Sequence, residues 1–308
     1  VKNVDWLFDN PLADMFGPEF LFIYGMFAVI VIGGAASFVR MQDMTGGGRP
    51  PATPSDVDPY ELAYLRGGAN EVVRTAIYAL RQQRLIDVVG SGEIKATAGV
   101  NGWDVGALER CVFEAIKRSP KIPQLFKDEA LRSNVENLCR DYKRRLSAQQ
   151  LLAPPEVRRA SHYALAAGLV LLVALAGYKA TAALKHGHSN LGFLIVETIA
   201  ACFILGWVLQ KTAGGNASKL GREYLTQVQL AYSGHVATAF GAPTSRVGGA
   251  AMGNAALLLV GLFGFCILKG TPDAALAQQF AASQSGGGDG GGGCGGGGGG
   301  GGCGGCGS

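Results

Sequence analysis

The chain has 308 residues, 48% of them hydrophobic and 16% charged, with a formal net charge of +4. That balance lies on the apolar side of an ordinary soluble protein, and the excess is gathered into blocks rather than spread along the chain. Four blocks reach about twenty residues, the length that crosses a hydrocarbon core about 30 Å thick at 1.5 Å per helical residue.

Residues 1–19 form an acidic leader in which Asp5, Asp9, Asp14 and Glu19 stand against Lys2. A cleaved secretory signal wants a basic leader, so the block at 20–39, "FLFIYGMFAVIVIGGAASFV", is expected to remain as the first transmembrane helix. Residues 40–56, which include "TGGGRPPATPSD", read as a flexible Gly/Pro linker. A soluble domain is expected at 57–155. Asp58-Pro59 has the form of an N-cap with proline at the first helical position, opening "YELAYLRGG", which stops at Gly67-Gly68. Asn70 is expected to cap a second helix, "EVVRTAIYALRQQR", whose Val73, Ala76, Ile77 and Leu80 make one apolar stripe. Next, "LIDVVGSGEIKAT" has two β-prone runs around Gly90-Ser91-Gly92, a hairpin signal. Two helices feeding a hairpin is the order of a winged-helix module. Asp104 is expected to cap "VGALERCVFEAIKRSP", and a longer helix is expected over 128–146. Its closing "LSAQQLLAPP" resembles the close of the first unit and allows a second, degenerate copy.

The second transmembrane helix is expected at 162–184, with Lys179 snorkelling near its end, and the third at 191–210. Residues 211–246 read as a cytosolic loop or interfacial helix. The fourth span is expected at 247–268 and is the least hydrophobic. A short helical connector at 269–285 leads to 286–308, a Gly/Cys tail without apolar side chains to offset the ordering of glycine, and so expected to be disordered. The fold class is therefore mainly α: a helical transmembrane protein of about four spans with a cytosolic α+β winged-helix-like domain. Arg40 and Arg49, Arg158 and Arg159, and Lys211, Lys219, Arg222 and Arg246 flank the spans on what is then the cytoplasmic side. Residues 40–161 fall inside, and the N-terminus and tail outside. Lys185, His186 and His188, in the connection between spans two and three, vote the other way.

Chemistry-bearing residues are few. Glu197 stands inside the third span, where a carboxylate costs at least roughly 2.5 kcal/mol unless paired or neutral, and is the intramembrane site candidate for ion or proton passage. Gly249 and Gly253 form a small-xxx-small pair suited to close helix packing, within the chain or with a second copy in a homo-oligomer. Arg74 and Arg81 share a helix face and, with Arg84, are the candidates for nucleic-acid contact. Glu71 and Asp87 beside them weigh against the net basic patch that DNA binding needs. Cys111 and Cys139 lie at apolar helix positions and read as small buried hydrophobes. "CRDYKRRL", at a helix C-terminus, suits the helix dipole or anionic headgroups. His186 and His188 are two ligands at most, a poor metal site. The tail's Cys294, Cys303 and Cys306 lack the cation or helix terminus that activates a redox Cys-x-x-Cys, and three thiols do not close a four-ligand zinc site. What remains is a string of accessible thiols. No catalytic residue and no cofactor are implied.

The run "DPYELAYLRGGANEVVRTAIYALRQQRLIDV" at 58–88, joined to late apolar blocks and a terminal Gly/Cys run, resembles a family of uncharacterised bacterial multi-pass membrane proteins. That family is defined by a region preceding a glycine/cysteine-rich low-complexity C-terminus. The resemblance implies a bacterial inner (cytoplasmic) membrane location and a peptide-modifying enzyme as partner of the tail. It carries no activity to transfer, and the tail has fewer cysteines than a regular Gly-Cys repeat. The leading expectation is a non-enzymatic membrane protein with a cytosolic docking domain, which would bind a protein partner, and a tail serving modification, cross-linking or metal capture. The alternatives are a membrane-tethered winged-helix regulator of nucleic acid and a small transporter or channel using Glu197.

Overall fold

A computed structural model of the protein describes residues 17–52, 57–89, 92–97, 105–185, 192–241, 249–268, 271 and 273–284. Among them the order is α1 (Gly17–Met41), a 3-10 turn (Met44–Gly47), α2 (Pro59–Gln82), β1 (Ile86–Val89), β2 (Glu93–Ala96), α3 (Ala107–Arg118) and α4 (Ile122–Leu125). Then come α5 (Glu129–Leu138), α6 (Arg140–Ala148), α7 (Pro155–Lys185), α8 (Gly192–Ala213), α9 (Lys219–Gly241), α10 (Gly249–Phe263), a second 3-10 turn (Phe265–Leu268) and α11 (Ala274–Gln284). The chain divides into two discontinuous units: Val1–Thr53 with Asp141–Gln227, and Pro54–Arg140 with Val228–Ser308.

The first unit is built on three apolar helices. Glu19–Met41, Pro155–Ala182 and Gly192–Ala213 are each long and apolar enough to cross a bilayer. They bury one face against each other, through Phe20, Tyr24, Leu172, Leu194, Leu205 and Leu209. Their outer faces are apolar as well, with Phe22, Val29, Ile30, Phe203 and Trp207 exposed. A helix apolar all round calls for an apolar surrounding on its open side, which a bilayer would supply. Gly168 of α7 lets Leu205 and Val31 come close, where a Cβ would stand 2.7 Å from the Leu205 side chain. Tyr24 satisfies its buried hydroxyl by donating to the carbonyl of Leu172 at 3.2 Å.

Where α1 and α8 end and α7 begins, three loop segments are laced together. Ala153 donates to Asn216, and Ser218 to Leu151, across an isolated bridge between Leu152 and Ala217. Asp43 Oδ2 accepts from the Lys219 amide at 2.7 Å, and Thr45 Oγ1 from the Leu220 amide at 3.3 Å. Helix α9 is therefore capped by residues that follow α1. Asp43→Ala is expected to lower the stability of this unit by about 1–2 kcal/mol, read from thermal unfolding in detergent, while Asp43→Asn keeps an acceptor and loses less.

In the second unit α2 starts as its sequence dictates: Asp58 Oδ1 accepts from the Tyr60 amide at 2.9 Å, and Pro59 opens the helix. The expected break at Gly67-Gly68 is present: both residues leave the helical conformation, Gly68 at φ 71°, so α2 is two helical segments meeting at a bend. Only glycine enters that left-handed region without strain. β1 and β2 pair antiparallel with Ile86 opposite Ala96 and Val88 opposite Ile94, so Ile86 and Ile94 are buried in the core. Gly90, Ser91 and Asp104 lie outside the described residues. The helix expected over 128–146 is broken at Cys139 into α5 and α6.

The largest departure concerns the expected fourth span. α10 has 15 residues, about 22 Å of helix, short of the hydrocarbon thickness. It packs along α2 in the second unit. Leu259, Val260 and Leu262 are buried there, and a Cβ on Gly261 would fall 2.4 Å from the Pro59 carbonyl oxygen. Gly264, at φ 80°, ends the helix and lets the Arg66 guanidinium approach. Beyond it Phe265 and Phe280 meet edge to face at 4.8 Å, with Tyr78 and Phe126 alongside. Leu259, Val260 and Leu262 of the expected crossing, and Leu276 and Phe280 of the expected connector, are thus buried in the second unit, and among the described residues three helices are candidate spans.

Candidate functional site

α2 places its cations inward. Glu71, 6% exposed, accepts from both Arg66 and Arg74, so one buried carboxylate holds two guanidinium groups. Arg66 also donates to the Val260 carbonyl at 3.3 Å, the C-terminal end of α10, where the helix dipole favours a cation. Burial pushes the Arg66 guanidinium below its ordinary value, against the opposing charge of Glu71. Arg74 lies over the Phe126 ring at 5.4 Å. Arg81 is paired with Asp87 at 2.7 Å and lies 3.6 Å from Asp273. Arg84 is exposed at φ 59°, just past the helix end.

This arrangement bears on the winged-helix expectation. The order of helices and hairpin is as expected, but the second half of α2 is covered on nearly every side, with Glu71 to Val73 and Thr75 to Leu80 buried. A recognition helix needs an open face to enter a groove. Arg74 and Arg81, two of the candidates for nucleic-acid contact, are each paired with an acid of their own unit, Glu71 and Asp87.

Glu197 turns toward α1, its Oε1 lying 3.0 Å from where a Gly25 Cβ would be. Glycine at 25 leaves the room the carboxyl occupies. Thr198 and Cys202 lie near the Tyr24 hydroxyl, so the polar groups of α8 gather on its bundle side. Lys179, 8% exposed, sits over the Phe20 ring at 4.9 Å rather than reaching past the helix end. Gly249 opens α10, and Gly253 lies beside Gln82 of α2, where an added Cβ would meet that side chain at an ordinary 3.7 Å. Close approach therefore falls at Gly261 and Gly264, which the Gly-x-x-x-Gly pattern did not mark.

Cys139 is buried and its thiol is pushed up to about 12 by burial, with Asp58 and Glu136 adding to the shift. Cys111 is half-buried and shifted upward for the same main reason. Neither has the depressed pKa of a reactive thiol. Cys294, Cys303, Cys306, His186 and His188 lie outside the described residues. Among the described residues no three His, Cys, Asp or Glu side chains gather as a metal site.

At the laced end of the first unit, cations outnumber acids along the sequence. Arg40 and Arg49 are set against Asp43; Lys143, Arg144, Arg145, Arg158 and Arg159 against Asp141 and Glu156; Lys211, Lys219 and Arg222 against Glu223. Sequence reasoning counted several of these as topology signals but had no local sign of Asp43 as the hub.

Among the described residues these features define a mainly helical protein of the membrane class, with three helices in one unit long and apolar enough to cross a bilayer and a two-stranded hairpin in the other. Comparison with protein-family models, with curated proteins and with solved structures finds no match.

Proposed function

We propose that the chain is a non-enzymatic protein of a bacterial inner membrane that holds its Gly/Cys tail on the cytosolic side, as a substrate for a thiol-modifying enzyme. The observation that carries this reading is the use of α10 as a core helix against α2. With the described part of the fourth block packed on α2, three crossings are counted among the described residues, which would leave the tail on the same side as the laced border. The cations at the laced border favour the cytosol for that border. The tail then shares the cytosol with residues 57–155, revising the expectation that it lies outside. The cytosol keeps thiols reduced, which favours enzymatic modification of Cys294, Cys303 and Cys306 over disulfide cross-linking. The folded unit would dock the protein partner, in keeping with the resemblance of 58–88 to proteins with such tails. A winged-helix-like regulator is the weaker reading, since Arg74 and Arg81 are paired internally.

Two measurements test this. An epitope placed after Ser308 is expected to survive protease added to spheroplasts and to be removed in inverted vesicles; the reverse pattern would restore a fourth crossing. The C-terminal peptide from native membranes is expected to weigh more than its sequence mass at its cysteines. Three unmodified thiols would end the substrate reading.

A further inference from the structure

We propose that the border of the first unit carries a binding site for the phosphate-bearing headgroup of an anionic phospholipid, in the cleft between Pro50 and the first turns of α9. The cleft measures about 550 Å³ and is lined by Pro50, Lys219, Arg222, Glu223, Thr226 and Gln227. Lys219 and Arg222, three apart on one helix, present their cations on the same side, and Arg222 is 58% exposed even with Asp43 at 3.9 Å. Gln227 supplies an uncharged amide donor for phosphate or glycerol oxygens, while the Thr226 hydroxyl already donates to the Arg222 carbonyl at 2.8 Å. The first amides of α9 already serve Asp43, Thr45 and Ser218, so side chains and not bare backbone would hold the anion.

Two further observations select a lipid. Asp43 and Thr45, directly after α1, pin the start of α9, so the cleft lies where the apolar helices end. Near that same end of α8, Lys211 stands over the exposed Trp207 ring at 5.3 Å, an aromatic and a cation of the kind that settles at headgroup level. Of the charged residues lining the cleft, Lys219 and Arg222 outnumber Glu223, and Arg49, next to Pro50 in the chain, is exposed. A phosphate tethered in the bilayer surface meets such a cleft at far higher local concentration than one free in solution.

The inference rests on reading α1, α7 and α8 as membrane crossings, and it does not depend on the tail. It is tested on the full-length protein in zwitterionic detergent, by native mass spectrometry with added phosphatidylglycerol or phosphatidylcholine. Thermal unfolding in nanodiscs of phosphatidylcholine, with and without phosphatidylglycerol, gives a second readout. The wild type is expected to retain phosphatidylglycerol preferentially and to unfold at higher temperature in its presence. Lys219→Gln with Arg222→Gln is expected to weaken that retention about 30-fold, from the usual contribution of two cations at an anionic surface. Lys117→Gln with Arg118→Gln, the same charge change on α3 of the second unit, is expected to leave it in place. No preference in the wild type overturns the proposal, as does equal loss in both double variants, or millimolar inorganic phosphate stabilising the protein in phosphatidylcholine as much as the lipid does. Should the cleft variant fail to fold, the wild-type comparison and the phosphate arm still decide. Release of the protein from membranes by alkaline carbonate would instead defeat the reading of the three helices as crossings.

Discussion

Replacing Glu71 with alanine is expected to destabilise the second unit by about 3–5 kcal/mol. The carboxylate is the shared acceptor of Arg66 and Arg74, both largely buried, and its loss leaves two like charges facing each other without a counterion. Arg66 would also lose the partner that orients it onto the end of α10. Urea unfolding of the full chain, followed by pulse proteolysis, reads the change. The control is informative: replacing Arg66, Glu71 and Arg74 together with apolar residues of similar volume removes the desolvation along with the pairing. That triple variant is expected to be close to neutral. If Glu71→Ala unfolds like the wild type, the triad does not hold α2 and α10 together.

Gly261→Ala is expected to cost about 1–3 kcal/mol, more if the backbone cannot yield. The added methyl would stand 2.4 Å from the Pro59 carbonyl oxygen and 3.1 Å from its carbon, and neither belongs to a side chain that can rotate away. Gly206→Ala, in α8, is the matched control because nothing lies within 4 Å of the new methyl. The comparison also tests the architecture. A lipid-facing helix would accept alanine at 261 as readily as at 206, so equal stability of the two variants would separate α10 from α2.

The three candidate spans were legible because uninterrupted apolar sequence leaves no other fate for a long helix. For the fourth block the same signal does not discriminate. A window of "GNAALLLVGLFGF" has the same hydrophobicity whether it meets lipid or the side chains of α2, and only the geometry at Gly261 and Gly264 tells the two apart. Asp58-Pro59 and the alternation around Ile86 and Ile94 were local signals and were met locally. Glu71 beside Arg74 was visible as an acid that spoiled a basic patch; that it also takes Arg66 needed the bend at Gly67-Gly68. Asp43 lay in what read as a linker, and its partner at Lys219 is 176 positions away, a distance over which no periodicity carries information.

The pairing of α2 with α10 has a consequence for biosynthesis. Arg66 leaves the ribosome 194 residues before Val260, its acceptor. At ordinary elongation rates that is a wait of roughly 10–40 s, during which the candidate spans α7 and α8 are made. Through that interval the face of α2 that later packs against α10 stands uncovered, apolar surface of the kind a holding chaperone binds. Completion of the early half is thereby made conditional on the last stretch being translated, so a chain stalled after α8 would be marked for degradation by its own uncovered face.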